Sequence, residues 1–115
     1  MANVKITIKL DNSAGTVKNP SGSLEHVDPP GYYVFKGVNG SQWNATVEPG
    51  VYIFYCEAAG NPGAPFGPIT VVDAGGNPLA GPKTCKIRKK RTGLCTLQFV
   101  VTAAAAKRAA KGGVK

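Results

Sequence analysis

The sequence predicts an all-β protein, an antiparallel β-sandwich of about seven short strands with a basic C-terminal tail. Three observations carry this. Apolar residues recur with a period of two or in short runs of β-branched and aromatic residues. Fifteen glycines and nine prolines are scattered through the 115 residues as turn signals. Almost no segment carries a helical period, and short strands at regular spacing read as a sandwich.

The first strand is residues 3–10, NVKITIKL, with Val4, Ile6, Ile8 and Leu10 on one face and Lys5, Thr7 and Lys9 on the other. Residues 13–30 are loop-rich, with NPSGS and DPPG as turn signals and room for a short strand over 22–27. YYVFKGV (32–38) and QWNATV (42–47) follow, separated by the turn residues NGS. VYIFYCEA (51–58) is apolar on both faces, which predicts a central strand covered on both sides. AGNPGAPFG (59–67) reads as a long turn, PITVVDA as a strand and GGNPLAGP as a loop. KTCKIRK and LCTLQFVVT then flank a basic tip, with Cys95, Leu97, Phe99 and Val101 on one face. The domain division expected is a sandwich over 1–102 and an Ala/Lys-rich tail over 103–115. The tail favours helix by propensity but is too short to hold one alone.

Charge divides the chain. Residues 1–82 hold four lysines against all six acids, a net of −2; residues 83–115 hold ten Lys/Arg and no acid, a net of +10. Such asymmetry points to a polyanionic partner: nucleic acid, an acidic protein face or an anionic membrane surface. Lys86, Arg88, Lys89, Lys90, Arg91, Lys107, Arg108 and Lys111 are the residues expected to make that contact. No aromatic residue is interleaved among them, so phosphate contact is expected rather than base stacking. The opposing expectation is a solvated tip that discourages edge-to-edge aggregation.

CKIRKKRTGLC (85–95) is expected to be the tip of a hairpin joining the last two strands. A loop of Arg91, Thr92 and Gly93 would oppose Lys89 to Cys95, whereas pairing Arg88 with Thr92 would oppose Cys85 to Cys95. Only the second register brings the cysteines within disulfide reach. MANVKITIKL has no apolar core of a signal peptide, so the expected location is the cytoplasm or a particle assembled there. Free buried thiols are then the default, and a disulfide, if formed, would join Cys85 to Cys95 and leave Cys56 free.

GVYIFYCEAAGNPGAPFGPITV (50–71) resembles the C-terminal signature of cupredoxins, the small blue-copper β-sandwiches, through Gly50, Tyr52, Phe54, Tyr55, Cys56, Gly67, Thr70 and Val71. The PG-x-Y start of this stretch also resembles immunoglobulin-like modules. The resemblance implies a sandwich. It does not imply copper, because the family's site needs two His and usually a Met beside the Cys, and the loop after Cys56 has neither.

Other chemistry finds few residues. His26 is the only histidine, the six acids are dispersed, and no C-x-x-C or phosphate-loop spacing occurs. Neither an enzyme, a metal site, a cofactor nor a small-molecule substrate is expected. NGS (39–41) and NAT (44–46) match the glycosylation pattern, which is short enough to arise by chance. Tyr32, Tyr33 and Trp43 would form a partner patch if exposed, although core packing suits Trp43 better. Three functions are therefore carried forward. The first is a structural or assembly module of a virion, phage or filament, a homo-oligomer or larger assembly. The second is a monomeric, sequence-nonspecific nucleic-acid-binding protein, and the third a surface adhesion module.

Overall fold

A computed structural model describes residues 3–13, 15–27, 32–88 and 91–102. The tail over 103–115, with Lys107, Arg108 and Lys111, lies outside the described residues, as do Lys89 and Lys90. Eight strands occupy the described residues: β1 (Val4–Leu10), β2 (Val17–His26), β3 (Tyr33–Asn39), β4 (Gln42–Val47), β5 (Gly50–Gly60), β6 (Pro65–Asp73), β7 (Pro78–Lys86) and β8 (Thr92–Val101). They form two four-stranded sheets, ordered β4-β1-β6-β7 and β3-β2-β5-β8, and every pairing is antiparallel. The chain is an all-β sandwich. Its connections cross between sheets at β1–β2, β3–β4, β4–β5, β5–β6 and β7–β8, so each sheet is assembled from distant stretches.

The alternating strands bury the faces their sequences predict. Val4, Ile6, Ile8 and Leu10 of β1 face Leu24, Tyr52, Phe54 and Cys56 of the opposite sheet's inner surface, and all are buried. Cys95, Leu97, Phe99 and Val101 extend the core along β8. Removing these side chains from water is the main favourable term holding the sheets together. β5 is central, between β2 and β8, but only one of its faces is fully covered. Val51, Ile53 and Tyr55 stay partly exposed, so the uniform apolar run is not a strand covered on both sides.

Two elements correct the sequence expectations. The stretch expected to be loop-rich contains the ten-residue β2. Its turn residues are absorbed by a bulge between Lys18 and Ser21, where Asn19 takes φ of 53°. A bulge tolerates a proline such as Pro20, which has no N–H for the ladder. The PLAGP stretch, also expected as loop, begins edge strand β7, whose pairing with β6 is broken by three register shifts. An edge position is where a strand can hold prolines. The long turn expected over 59–67 shortens to 61–64, because β5 and β6 run into it from both sides.

The expected hairpin at residues 85–95 is an arch between sheets. β7 ends one sheet and β8 ends the other, and they face each other across the sandwich. Arg88 N donates to Thr92 O at 3.1 Å, and Arg91 N to Arg88 O at 3.0 Å, which selects the register that pairs Arg88 with Thr92. Cys85 and Cys95 are joined by a disulfide with Cα atoms 5.8 Å apart, so the default of free thiols fails for this pair. The physical reason is placement: both side chains point inward from opposing edge strands. Cys56 remains a free, buried thiol.

Candidate phosphate-binding end of the sandwich

The arch, the β1–β2 connection and the β5–β6 turn meet at one end of the sandwich. Gly60 N donates to Arg91 O, Gly63 N to Ile87 O and Ile87 N to Ala64 O, at 2.8 to 3.0 Å. Ile87 is buried beneath the arch and anchors it. Charged side chains cannot follow Ile87 inward without losing hydration, so Lys86, Arg88 and Arg91 are exposed around this anchor. Arg91 has φ of 63°, and hydrogen bonds through both its N–H and its carbonyl hold that left-handed geometry.

Strand register adds a lysine that the sequence reading did not single out. Lys18 pairs with Ala59 of β5, and Ala59 pairs with Thr92 of β8, which puts Lys18 and the arch on either side of the end of β5. Gly60 permits this approach: a Cβ there would lie 2.8 Å from the Thr16 carbonyl oxygen. Nothing local in the sequence marks Lys18, because only the β2–β5 pairing brings it to the arch. Two shallow notches result, separated by Ala59. One is lined by Arg88 together with Asn19, Ser21 and Glu57. The other is lined by Lys18 and Arg91, with Thr16 and Asn61.

Of the basic residues expected to act together, the described residues place Lys86, Arg88 and Arg91 at this end. β8 runs from the arch to Val101, a ten-residue strand that spans roughly 30 Å. The last described residue, Thr102, therefore stands at the opposite end from the arch. Lys107, Arg108 and Lys111 follow Thr102 in sequence and lie outside the described residues.

The aromatic patch is also divided. Trp43 is only 3% exposed, packs against Phe54 with ring centroids 5.0 Å apart and donates its Nε1–H to the Val38 carbonyl at 2.7 Å. It belongs to the core and cannot share an exposed patch with Tyr32 and Tyr33, because β4 turns it inward. Tyr32 and Tyr33 are exposed. Tyr32 stacks edge-on against His26 at 5.0 Å, and Lys36 Nζ lies 5.0 Å above the Tyr33 ring. His26 also has the Tyr52 ring 4.6 Å away, tilted by 53°, so two aromatic rings neighbour the imidazole.

Cys56 is the remaining candidate for reactivity. It lies opposite Cys95 on the neighbouring strand, within the core. Burial pushes its thiol up to about 12, well above the ordinary range, which holds it protonated at neutral pH. Among the described residues, no group of three or more His, Cys, Asp or Glu is gathered in a way that could hold a metal ion. Comparison with protein-family models, with curated proteins and with solved structures returns no match.

Proposed function

We propose that this chain is a non-enzymatic assembly module whose basic arch and tail contact the phosphates of nucleic acid. The supporting observation is the division of charge: a net of −2 over 1–82 and +10 over 83–115, with Lys86, Arg88 and Arg91 exposed around one end of the fold. Such an end attracts a polyanion at long range and binds it through counterion release, with little sequence preference. Self-association is supported by the outer face of the β3-β2-β5-β8 sheet. Val100 is about half exposed there, at 50%, opposite the partly exposed Val51, and Leu94, at 48%, lies nearer the arch opposite Glu57. Lys83 Nζ donates to the Thr96 carbonyl, which occupies part of the β8 edge and favours contact through the face over strand addition. The protonated, buried Cys56 thiol fits a binding role better than nucleophilic catalysis.

The test is the salt dependence of binding to a labelled DNA duplex between about 50 and 200 mM salt. The triple variant Lys89→Ser/Lys90→Ser/Arg91→Ser is expected to weaken binding and to flatten the log–log slope by up to about 2.7, near 0.9 for each lost phosphate contact. An unchanged affinity and slope would leave the arch as a solvated tip.

A further inference from the structure

The two notches at the arch end are not equivalent. Glu57 lines the one beside Arg88, and its carboxylate opposes an anion there. The other, about 450 Å³ and open to solvent, has no carboxylate among the described residues that line it. Lys18 and Arg91 reach it from opposite walls, and Ala59 and Gly60 supply only a methyl group and a hydrogen between them. Lys18, Arg91 and Asn61 are all exposed and bring donors to the notch. Thr16 Oγ1 donates instead to the Pro65 carbonyl at 2.8 Å, which ties one wall to the β6 strand.

The framework of this notch is fixed rather than loose. Thr16 is tied to Pro65, Gly60 N–H to the Arg91 carbonyl and Ala64 N–H to the Asn61 carbonyl. The left-handed backbone of Arg91 is one of only two such non-glycine residues among the described residues; the other, Asn19, lines the adjacent notch. Strained backbone held by surrounding hydrogen bonds concentrates at sites where geometry matters to binding. A notch lined by one arginine and one lysine, with no carboxylate among its described lining residues, is suited to a tetrahedral oxyanion, to which an arginine can bind bidentate and a lysine as a point charge.

We infer that the notch between Lys18 and Arg91 binds a phosphate group, contributed by a nucleic-acid backbone. The inference rests on the nucleic-acid reading above and narrows it to one built subsite. It makes Lys18 and Arg91 unequal to the other exposed cations of this end, such as Lys86.

Amide chemical shifts of the full chain would be followed during titration with inorganic phosphate and, separately, with a single-stranded oligonucleotide of about six nucleotides. The unmodified protein would be compared with Lys18→Gln, Arg91→Gln and Lys86→Gln. All three positions are exposed, and retention of the dispersed spectrum confirms folding. The expected result is saturable shifts at Lys18, Gly60, Asn61 and Arg91 with the oligonucleotide. Lys18→Gln and Arg91→Gln should each weaken it about tenfold, and Lys86→Gln, which loses one diffuse contact of the same basic end, only about threefold. Phosphate alone should move the same amides with much lower affinity. Equal affinity for inorganic phosphate and the oligonucleotide would overturn the nucleic-acid backbone as the source. Equal, small losses in all three variants would overturn the subsite and leave the diffuse electrostatic reading standing. No binding of the oligonucleotide by any form would overturn both.

Discussion

Gly22 shows how finely the core is fitted at single positions. A Cβ there would lie 2.6 Å from Trp43 Cε2 and 2.8 Å from Phe54 Cε1, so the indole rests directly on the β2 backbone. Gly22→Ala must displace two packed rings. It is expected to lower stability by about 1–3 kcal/mol, measured as a shift in denaturation midpoint at unchanged m-value. Cys56 gives a pH-dependent expectation. Its thiol is pushed up to about 12 in the fold, while in the unfolded chain it ionises near the ordinary value of about 8.5. Above that ordinary value the unfolded state binds fewer protons, so stability falls as pH rises toward the folded value. The loss is at most about 1.4 kcal/mol per pH unit. Cys56→Ala removes this component, so the stability of the unmodified protein relative to the variant should decline above about pH 8.5 and be flat below it. At neutral pH a thiol reagent should label Cys56 only after unfolding.

At the scale of elements, the disulfide arch fastens two sheets at their edges. Cys85 and Cys95 are separated by 10 positions, and closing a loop of that size restricts the unfolded chain by about 3 kcal/mol. Reduction, or the double variant Cys85→Ala/Cys95→Ala, should lower the unfolding free energy by about that amount. The amides of β7 should lose more hydrogen-exchange protection than those of β1, because β7 has only β6 as a ladder partner. The contrast between these strands also explains what was legible in the sequence. β1, β4 and β8 alternate, so their inward faces could be read directly. β2 and β7 could not, because NPSGS and PLAGP carry turn chemistry that bulges and an edge position accommodate inside strands. The charge of the arch was legible as composition. Its geometry was not, since a sheet-to-sheet arch and a hairpin share the same local sequence signals. Lys18 and the notch depend on pairing between distant strands, which no local pattern encodes.

For the whole molecule, the placement of charge matters more than its total. The arch stands at one end of the sandwich, and the chain leaves the described residues at the other, at Thr102, with four more cations still to come. The Lys86, Arg88 and Arg91 cluster is therefore one basic region, and the tail cations follow in sequence from the other end, at Thr102. Bivalent contact raises the effective affinity of either region alone, provided one strand of nucleic acid can reach both. Truncation after Thr102 should lower nucleic-acid affinity and reduce the salt slope, while the sandwich keeps its stability. The half-exposed Val100 and the Val51 opposite it give adjoining copies an apolar patch to bury once charge has gathered them on a shared polyanion.

The most direct test of the account is size-exclusion light scattering of the full chain, purified in low salt without nuclease, with protein and nucleic-acid absorbance followed separately. The account predicts a discrete species many times heavier than the 11.9 kDa chain, carrying nucleic acid that dissociates as salt is raised. An 11.9 kDa monomer free of nucleic acid would contradict it.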